Sequence, residues 1–262
     1  ATLLPSTNMK MKVYGFIPAR WASTRFPGKP LHILAGKPLI QHVWERCLKC
    51  EELDHVAVAT DDERIANAAR TFGADVCMTR ADHPSGSDRI AEAASGFEDC
   101  THVINVQGDE PLIEIALVNT LAQRLREDPQ LPMVTAANPL TDSDSVNNPN
   151  IVKVVLNKRQ EALYFSRSVI PHGRERHPGT TWYRHQGIYG YSKEFLLQYV
   201  RWEPTPLELT EQLEQLRALE NGATIAVVLA EDDAIGVDTP EQADEVARLI
   251  EQRATMTEGN PS

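Results

Sequence analysis

A chain of 262 residues, 42% hydrophobic and 24% charged, carries enough apolar material for a sizeable core and is not composed like a disordered segment. Its formal net charge of -11 argues against a nucleic-acid backbone as partner, which would need a basic face. No apolar run reaches the ~18 residues from which a membrane span is read, so no membrane partner is expected.

Residues 1–10 are set aside as an extension without an assigned role. Residues 1–8 are polar or Pro-interrupted and precede two candidate start methionines, Met9 and Met11. Residues 11–262 are expected to form one domain. Val13 to Ile17, ended by Pro18, has the continuous apolar character of a buried parallel strand. A polar loop follows to about Lys29. Beyond Gly36-Lys37-Pro38, Leu39, Ile40, Val43, Trp44, Cys47 and Leu48 recur at helical spacing, with Pro38 expected as the first helical residue. Cys47 and Cys50 form a C-x-x-C inside this pattern. No second Cys or His pair follows at zinc-site spacing, so they are read as small apolar positions. With Cys77 and Cys100 they make four cysteines in a chain too large to need disulfide stapling, which points to a reducing cytosol.

The β-loop-α pattern then repeats. His55 to Ala59 is strand-like, Asp61 is placed to cap a helix running to Ala69, and Gly73 stops it. Asp75 to Met78 is a third strand, Ile90 to Ala94 is helical, and Thr101 to Val106 is a fourth strand. This alternation predicts a doubly wound α/β fold with a mainly parallel sheet covered on both faces. The middle of the chain has strands at Met133–Ala137, Val152–Leu156, Ala162–Phe165 and Gly187–Tyr191 with few helices between them, which predicts an antiparallel or mixed section. One helix is expected over Leu207–Glu220, then a strand over Thr224–Leu229. A last helix is expected after Thr239-Pro240-Glu241-Gln242, which offers an N-cap, a Pro and a capping-box Gln.

In open parallel sheets ligands bind beyond the carboxyl ends of the strands. The loop after the first strand, residues 18–29, holds Arg20, Arg25 and Lys29 together with Ser23, Thr24 and Gly28. In an acidic protein that is the local positive cluster a phosphorylated ligand needs, and a solvated basic loop is the plain alternative. Neither a Walker A loop nor a dinucleotide glycine fingerprint is present. After the fourth strand, Gln107-Gly108-Asp109-Glu110-Pro111 places two carboxylates at a strand end, suited to magnesium, although a turn with a capping Asp has the same pattern. Gly236-Val237-Asp238-Thr239-Pro240 is a second acidic site with a similar plain alternative. Together the cationic loop and strand-end acids supply what phosphoryl or nucleotidyl transfer requires.

Over nearly its whole length after Met11 the chain resembles the CMP-Kdo synthetases, the 3-deoxy-manno-octulosonate cytidylyltransferases. The residues that carry the resemblance include Ile17-Pro18-Ala19-Arg20, Pro27-Gly28-Lys29-Pro30, Met78 to His83, Ser85 to Arg89, Asn105 to Pro111, Phe165-Ser166-Arg167, Arg184-His185, Gly187 to Tyr191, Leu213 to Arg217 and Gly236 to Pro240. The resemblance implies a nucleotidyltransferase that joins CMP from CTP to 3-deoxy-manno-octulosonate (Kdo), releases pyrophosphate, uses Mg2+ and serves lipopolysaccharide synthesis as a cytoplasmic homodimer. It implies Arg20 and Lys29 at the triphosphate, with Ser23, Thr24, Arg25, Arg80, Ser85, Gly86 and Gln107 also on the nucleotide. Asp109 and Asp238 would hold the metal. Arg167, His185, Tyr189, Glu214 and Gln215 would bind the sugar acid, and residues 150–200 would form a strand-rich sugar-binding and dimerisation section. Pro84 and Gln186 depart from the residues frequent in the family. The alternatives are another acidic sugar, such as a sialic acid or 8-amino-Kdo, a non-catalytic nucleotide-sugar-binding protein, and, more remotely, a dinucleotide oxidoreductase.

Overall fold

The computed structural model describes residues 10–22, 26–175, 179–231 and 236–258. Strand β1 (Val13–Ala19) leads through a 3-10 turn (Lys29–Leu31) to the two-residue strands β2 (Ile33–Leu34) and β3 (Lys37–Pro38) and helix α1 (Leu39–Cys47). Then come β4 (His55–Thr60), α2 (Glu63–Thr71), β5 (Asp75–Met78), α3 (Gly86–Ser95), β6 (His102–Asn105), α4 (Ile115–Glu127), β7 (Met133–Leu140) and α5 (Ser143–Asn147). The remainder is β8 (Lys153–Leu156), β9 (Ala162–Ser166), β10 (Trp182–Ser192), α6 (Lys193–Tyr199), α7 (Pro206–Glu211), α8 (Leu216–Glu220), β11 (Ile225–Leu229) and α9 (Pro240–Glu258).

One sheet runs β5-β4-β1-β6-β10-β7-β11. β1, β4, β5 and β6 are parallel, β10 is antiparallel to both β6 and β7, and β11 is parallel to β7. Only β10 therefore runs against the rest of that path, and the parallel α/β expectation holds. The strand-rich middle joins this same sheet: β8 pairs with the first half of β10 and β9 with β8. β10 can serve neighbours along its whole length because it has 11 residues and is bulged between Gln186 and Tyr189.

Both faces are covered, as a parallel sheet requires. Leu39, Ile40 and Val43 of α1, Ile65 of α2, Leu117, Val118, Leu121 and Leu125 of α4, and Ala243 and Val246 of α9 pack on one face. Ile90, Ala91 and Ala94 of α3, Leu196 and Tyr199 of α6 and Leu216 of α8 pack on the other.

Several local expectations are corrected. Pro38 is the N-cap of α1, extended at φ -54 and ψ 142, because β3 pairs it with Ile33. Asp62, whose side chain accepts from Arg64 N–H, caps α2 in place of Asp61. The helix of residues 90–94 starts earlier, at Gly86, because Ser85 is its N-cap. The single helix expected over 207–220 is two, broken where Gln212 takes φ 55. Few helices were expected between Met133 and Tyr191, and among the described residues only α5 lies there, with α4 and α6 flanking the stretch. In α4 the buried Leu117, Leu121 and Leu125 recur every four residues, with Val118 and Ala122 beside them, which is the helical period.

Candidate active site

The site lies beyond the carboxyl ends of β1 and β6. These strands are neighbours, so their loops are forced together. The β6 loop crosses the end of β1 closely. A Cβ at Gly108 would lie 2.6 Å from the Pro18 carbonyl oxygen, and only glycine lets the chain pass there. The crossing delivers Gln107 on one side and Asp109 on the other.

Lys29 arrives from the β1 loop. Gly28, at φ 72, turns the chain into the short 3-10 turn, and its N–H donates to the Trp21 carbonyl at 3.1 Å. The Arg64 guanidinium covers the Trp21 ring at 3.4 Å and pins that loop from α2. Lys29 Nζ then donates to Asp109 Oδ2 and to the Val237 carbonyl, both at 2.8 Å, with Asp238 Oδ1 at 3.5 Å. Val237 N–H donates to the Asp109 carbonyl at 2.9 Å, which ties the two acidic loops. Asp238 N–H and Thr239 N–H both donate to Gln242 Oε1, so the expected cap of α9 also orients Asp238. Two carboxylates from residues far apart in sequence thus converge on one cation.

Three cavities meet here. One of about 420 Å³ is walled by Arg20, Lys29, Gly86, Gln107 and Asp109. A second, of about 210 Å³, is walled by Ser87, Asn105, Gln107, Tyr189, Glu214 and Gln215 among others. The third, of about 640 Å³, has Asp109, Glu110, Arg184, His185 and Asp238 on its walls. Gln107 faces all three, and its amide donates to the Gly187 carbonyl at the β10 bulge at 2.8 Å.

The second cavity has unmet hydrogen-bonding capacity. Asn105 Oδ1 and Gln215 Nε2 are enclosed and unpartnered, one acceptor and one donor that a hydroxylated ligand would satisfy. Burial raises the pKa of Tyr189, Tyr191 and Tyr199, so all three present neutral hydroxyls at neutral pH. Tyr199 OH donates to the Glu214 carbonyl at 2.7 Å and anchors the turn that carries Glu214 and Gln215.

His185 sits among Thr135, Phe165 and Tyr189. Its Nε2 is 3.0 Å from Thr135 Oγ1, which also lies within hydrogen-bonding reach of the Gln186 and Ile188 carbonyls. Burial pushes its pKa down to about 3. Glu110 is half-buried, but its Oε2 is enclosed without a partner. Burial first, and the neighbouring Asp109 charge second, push its pKa up to about 7, against the Arg184 cation.

The structure brings together Arg20, Lys29, Gly86, Gln107, Asp109 and Asp238, and separately Tyr189, Glu214 and Gln215. Ser85 stands one residue before Gly86 as the cap of α3. Two expected residues stand elsewhere. The Arg80 side chain is exposed and donates to Asp82 Oδ1 at 3.0 Å, away from all three cavity walls. Arg167 donates through Nε to the Glu211 carbonyl at 2.8 Å and through Nη2 to that of Gln212 at 3.4 Å, so it braces the chain just before Glu214. Its own carbonyl accepts from the fully buried Lys153. Ser23, Thr24 and Arg25 lie outside the described residues. Sequence reasoning assigned no role to Asn105 or Arg184, which the motifs contain, and read Glu110 only as one of two strand-end carboxylates suited to magnesium. Asn105 ending an otherwise apolar strand was the available signal.

A family model described as cytidylyltransferase matches residues 14–225. A 3-deoxy-manno-octulosonate cytidylyltransferase of Solibacter usitatus is 46% identical across 96% of this chain and 100% of its own length. The one from Syntrophotalea carbinolica is 48% identical across 88% of this chain and 95% of its own. The chain belongs to this family. A solved CMP:2-keto-3-deoxy-manno-octonic acid synthetase complexed with CTP superposes with a TM-score of 0.89 at 42% identity, covering 92% of this chain and 99% of that one. The 4-diphosphocytidyl-2C-methyl-D-erythritol synthase of Anaerococcus prevotii shares the fold, with a TM-score of 0.61 at 12% identity and coverage of 92% and 99%. As a cytidylyltransferase family member the chain is a nucleotidyltransferase with a mixed α/β fold.

Proposed function

We propose that this protein transfers CMP from CTP to the anomeric hydroxyl of Kdo. The observation that carries the reading is the convergence of Lys29, Asp109 and Asp238 beside the Arg20-walled cavity, which shares Gly86 and Gln107 with the cavity holding the unmet Asn105 and Gln215 groups. The first cavity has the cations for a triphosphate. The second offers neutral hydroxyls, an amide donor, an amide acceptor and the Glu214 carboxylate, which suit a polyhydroxylated sugar. In the reaction the anomeric oxygen bonds to the α-phosphorus, the bond to the bridging oxygen of the β-phosphate breaks, pyrophosphate leaves and the hydroxyl proton passes to solvent. Arg20 and Lys29 bind and neutralise the phosphates, and Gln107, tied to the β10 bulge, stands between the two substrates.

Asp109 and Asp238 would hold Mg2+. Hard carboxylate oxygens already gathered round one cation fit such an ion, and no cluster of three or more metal-ligating side chains occurs among the described residues. Magnesium typically binds one or two carboxylates and takes phosphate oxygens and water besides. Bound there, it would supply Lewis acidity at the α-phosphate. Four free cysteines suit a reducing cytoplasm, and no helix among the described residues is long and apolar enough to cross a membrane. The exposed Leu163 of β9 and Leu207 and Leu209 of α7 support a homodimer. The product would feed lipopolysaccharide synthesis.

The test is to incubate the protein with each nucleoside triphosphate and each sugar acid and follow pyrophosphate. Release should require CTP, Kdo and a divalent cation together. Equal release with ATP, without a sugar acid, or faster with a sialic acid or 8-amino-Kdo would replace this substrate assignment.

A further inference from the structure

Arg89 of α3 is fully buried, and a guanidinium without water needs a structural reason. Its Nη1 lies 3.1 Å from Asp61 Oδ1, after β4, and donates to Thr79 Oγ1, after β5. Its Nε has no partner. Arg20, after β1, is close enough for its charge to depress the Arg89 pKa, which burial already lowers. The Arg20 Nη2 atom is itself buried and unpartnered. One turn N-terminal to Arg89 on the same helix are Gly86 and Ser87, which wall the nucleotide and sugar cavities. Arg89 thus ties the residues after β4 and β5 to the start of α3. One turn further, Glu92 accepts from Arg80 N–H at 3.0 Å and pairs with His83, fastening the rest of the loop to the same helix.

We infer that Arg89 is a positioning residue for nucleotide binding, which holds the ends of β4 and β5 against α3 and so fixes Gly86 and Ser87 where they wall the two cavities. It is too deep to touch the ligand. Its planar fork suits the task, since a hydroxyl and a carboxylate from different strands lie within reach of one rigid group. Asp61 is free for this pairing because Asp62 caps α2. The inference rests on the cytidylyl-transfer reading.

The test compares Thr79→Val, Arg89→Lys and Arg89→Met in the full chain, with CTP binding measured by calorimetry without sugar, Michaelis constants for both substrates, and the thermal midpoint. Thr79→Val keeps the shape and the buried ion pair and removes only the acceptor, so it reads the tie even if the Arg89 variants fail to fold. Expected are CTP binding weakened about tenfold in Thr79→Val and more in Arg89→Met, with Arg89→Lys between wild type and Arg89→Met, while the Michaelis constant for Kdo moves less than about twofold. Unchanged CTP binding in Thr79→Val, or equal rises for both substrates following a lowered midpoint, would overturn the inference. Wild-type protein that binds CTP but does not use Kdo would sink the sugar assignment alone, because the calorimetric comparison stands without it.

Discussion

The two halves of the sheet build their parts of the site by different means. In the parallel half, β5-β4-β1-β6, every connection between neighbouring strands returns the chain to the same end, so Arg20, Asp61, Thr79 and Gln107 are neighbours by topology. In the mixed half, one long antiparallel strand does the gathering. β10 carries His185 before its bulge and Tyr189 after it, and pairs on one side with β6, whose last residue is Asn105. Glu214 and Gln215 come from a turn after a broken helix on the sheet's other layer. Parallel topology gathers charges at strand ends, whereas the mixed half buries neutral polar groups inside the sheet's face.

The comparison is broken most directly at the carboxylates. If Asp109 and Asp238 share one cation, removing either forfeits most of its effect. Asp109→Asn, Asp238→Asn and the double variant should each lose on the order of a hundredfold or more in turnover, without the losses multiplying. Chelation should stop pyrophosphate release and added magnesium restore it. Single-variant losses that multiply in the double would mean that the two groups do not act on one ion. Next is Gly108→Ala, where the added methyl meets a backbone oxygen that cannot rotate away. The Gln107–Asp109 crossing must shift, and turnover should fall about a hundredfold for a displacement near an ångström. Near-wild-type turnover would show that the crossing tolerates movement.

In the mixed half, Arg167→Ala should act through the turn it braces. The Michaelis constant for Kdo should rise about tenfold, with a loss of about 1–2 kcal/mol for hydrogen bonds to carbonyls left unmet. If CTP binding is lost instead, Arg167 belongs to the nucleotide side. The smallest effect is expected at His185. Burial depresses its pKa from 6.5 to about 3, so below 6.5 the unfolded chain takes up a proton that the folded one refuses. The stability tied to neutral His185 is present above 6.5 and lost as pH falls toward about 3, by about 2 kcal/mol at about pH 5. Denaturant titrations should therefore show the advantage of wild type over His185→Gln narrowing by that amount between neutral pH and about pH 5. A gap constant with pH would mean that the folded ring takes up its proton as readily as the unfolded one.

The sequence by itself determined the parallel α/β class and which polar residues gather beyond the ends of β1 and β6. Apolar runs punctuated by Gly and Pro announce buried parallel strands, and the residues after them must lie at one sheet edge, so Arg20, Lys29 and Asp109 could be named without coordinates. The cap of α9 was equally legible, since Thr239, Pro240 and Gln242 are local chemistry. Tertiary structure alone decided the rest. Whether Asp61 or Asp62 caps α2 depends on Arg89, which engages Asp61 from another helix. Whether residues 207–220 are one helix or two depends on Gln212, whose left-handed conformation turns the chain so that Glu214 and Gln215 reach the cavity. Arg167 carries a charge that suits a sugar carboxylate, yet its direction is set by the carbonyls of α7, which periodicity cannot reveal. Local patterns encode capping and burial because those depend on residues a turn apart, whereas the partner of a buried polar group comes from whichever strand the fold places beside it.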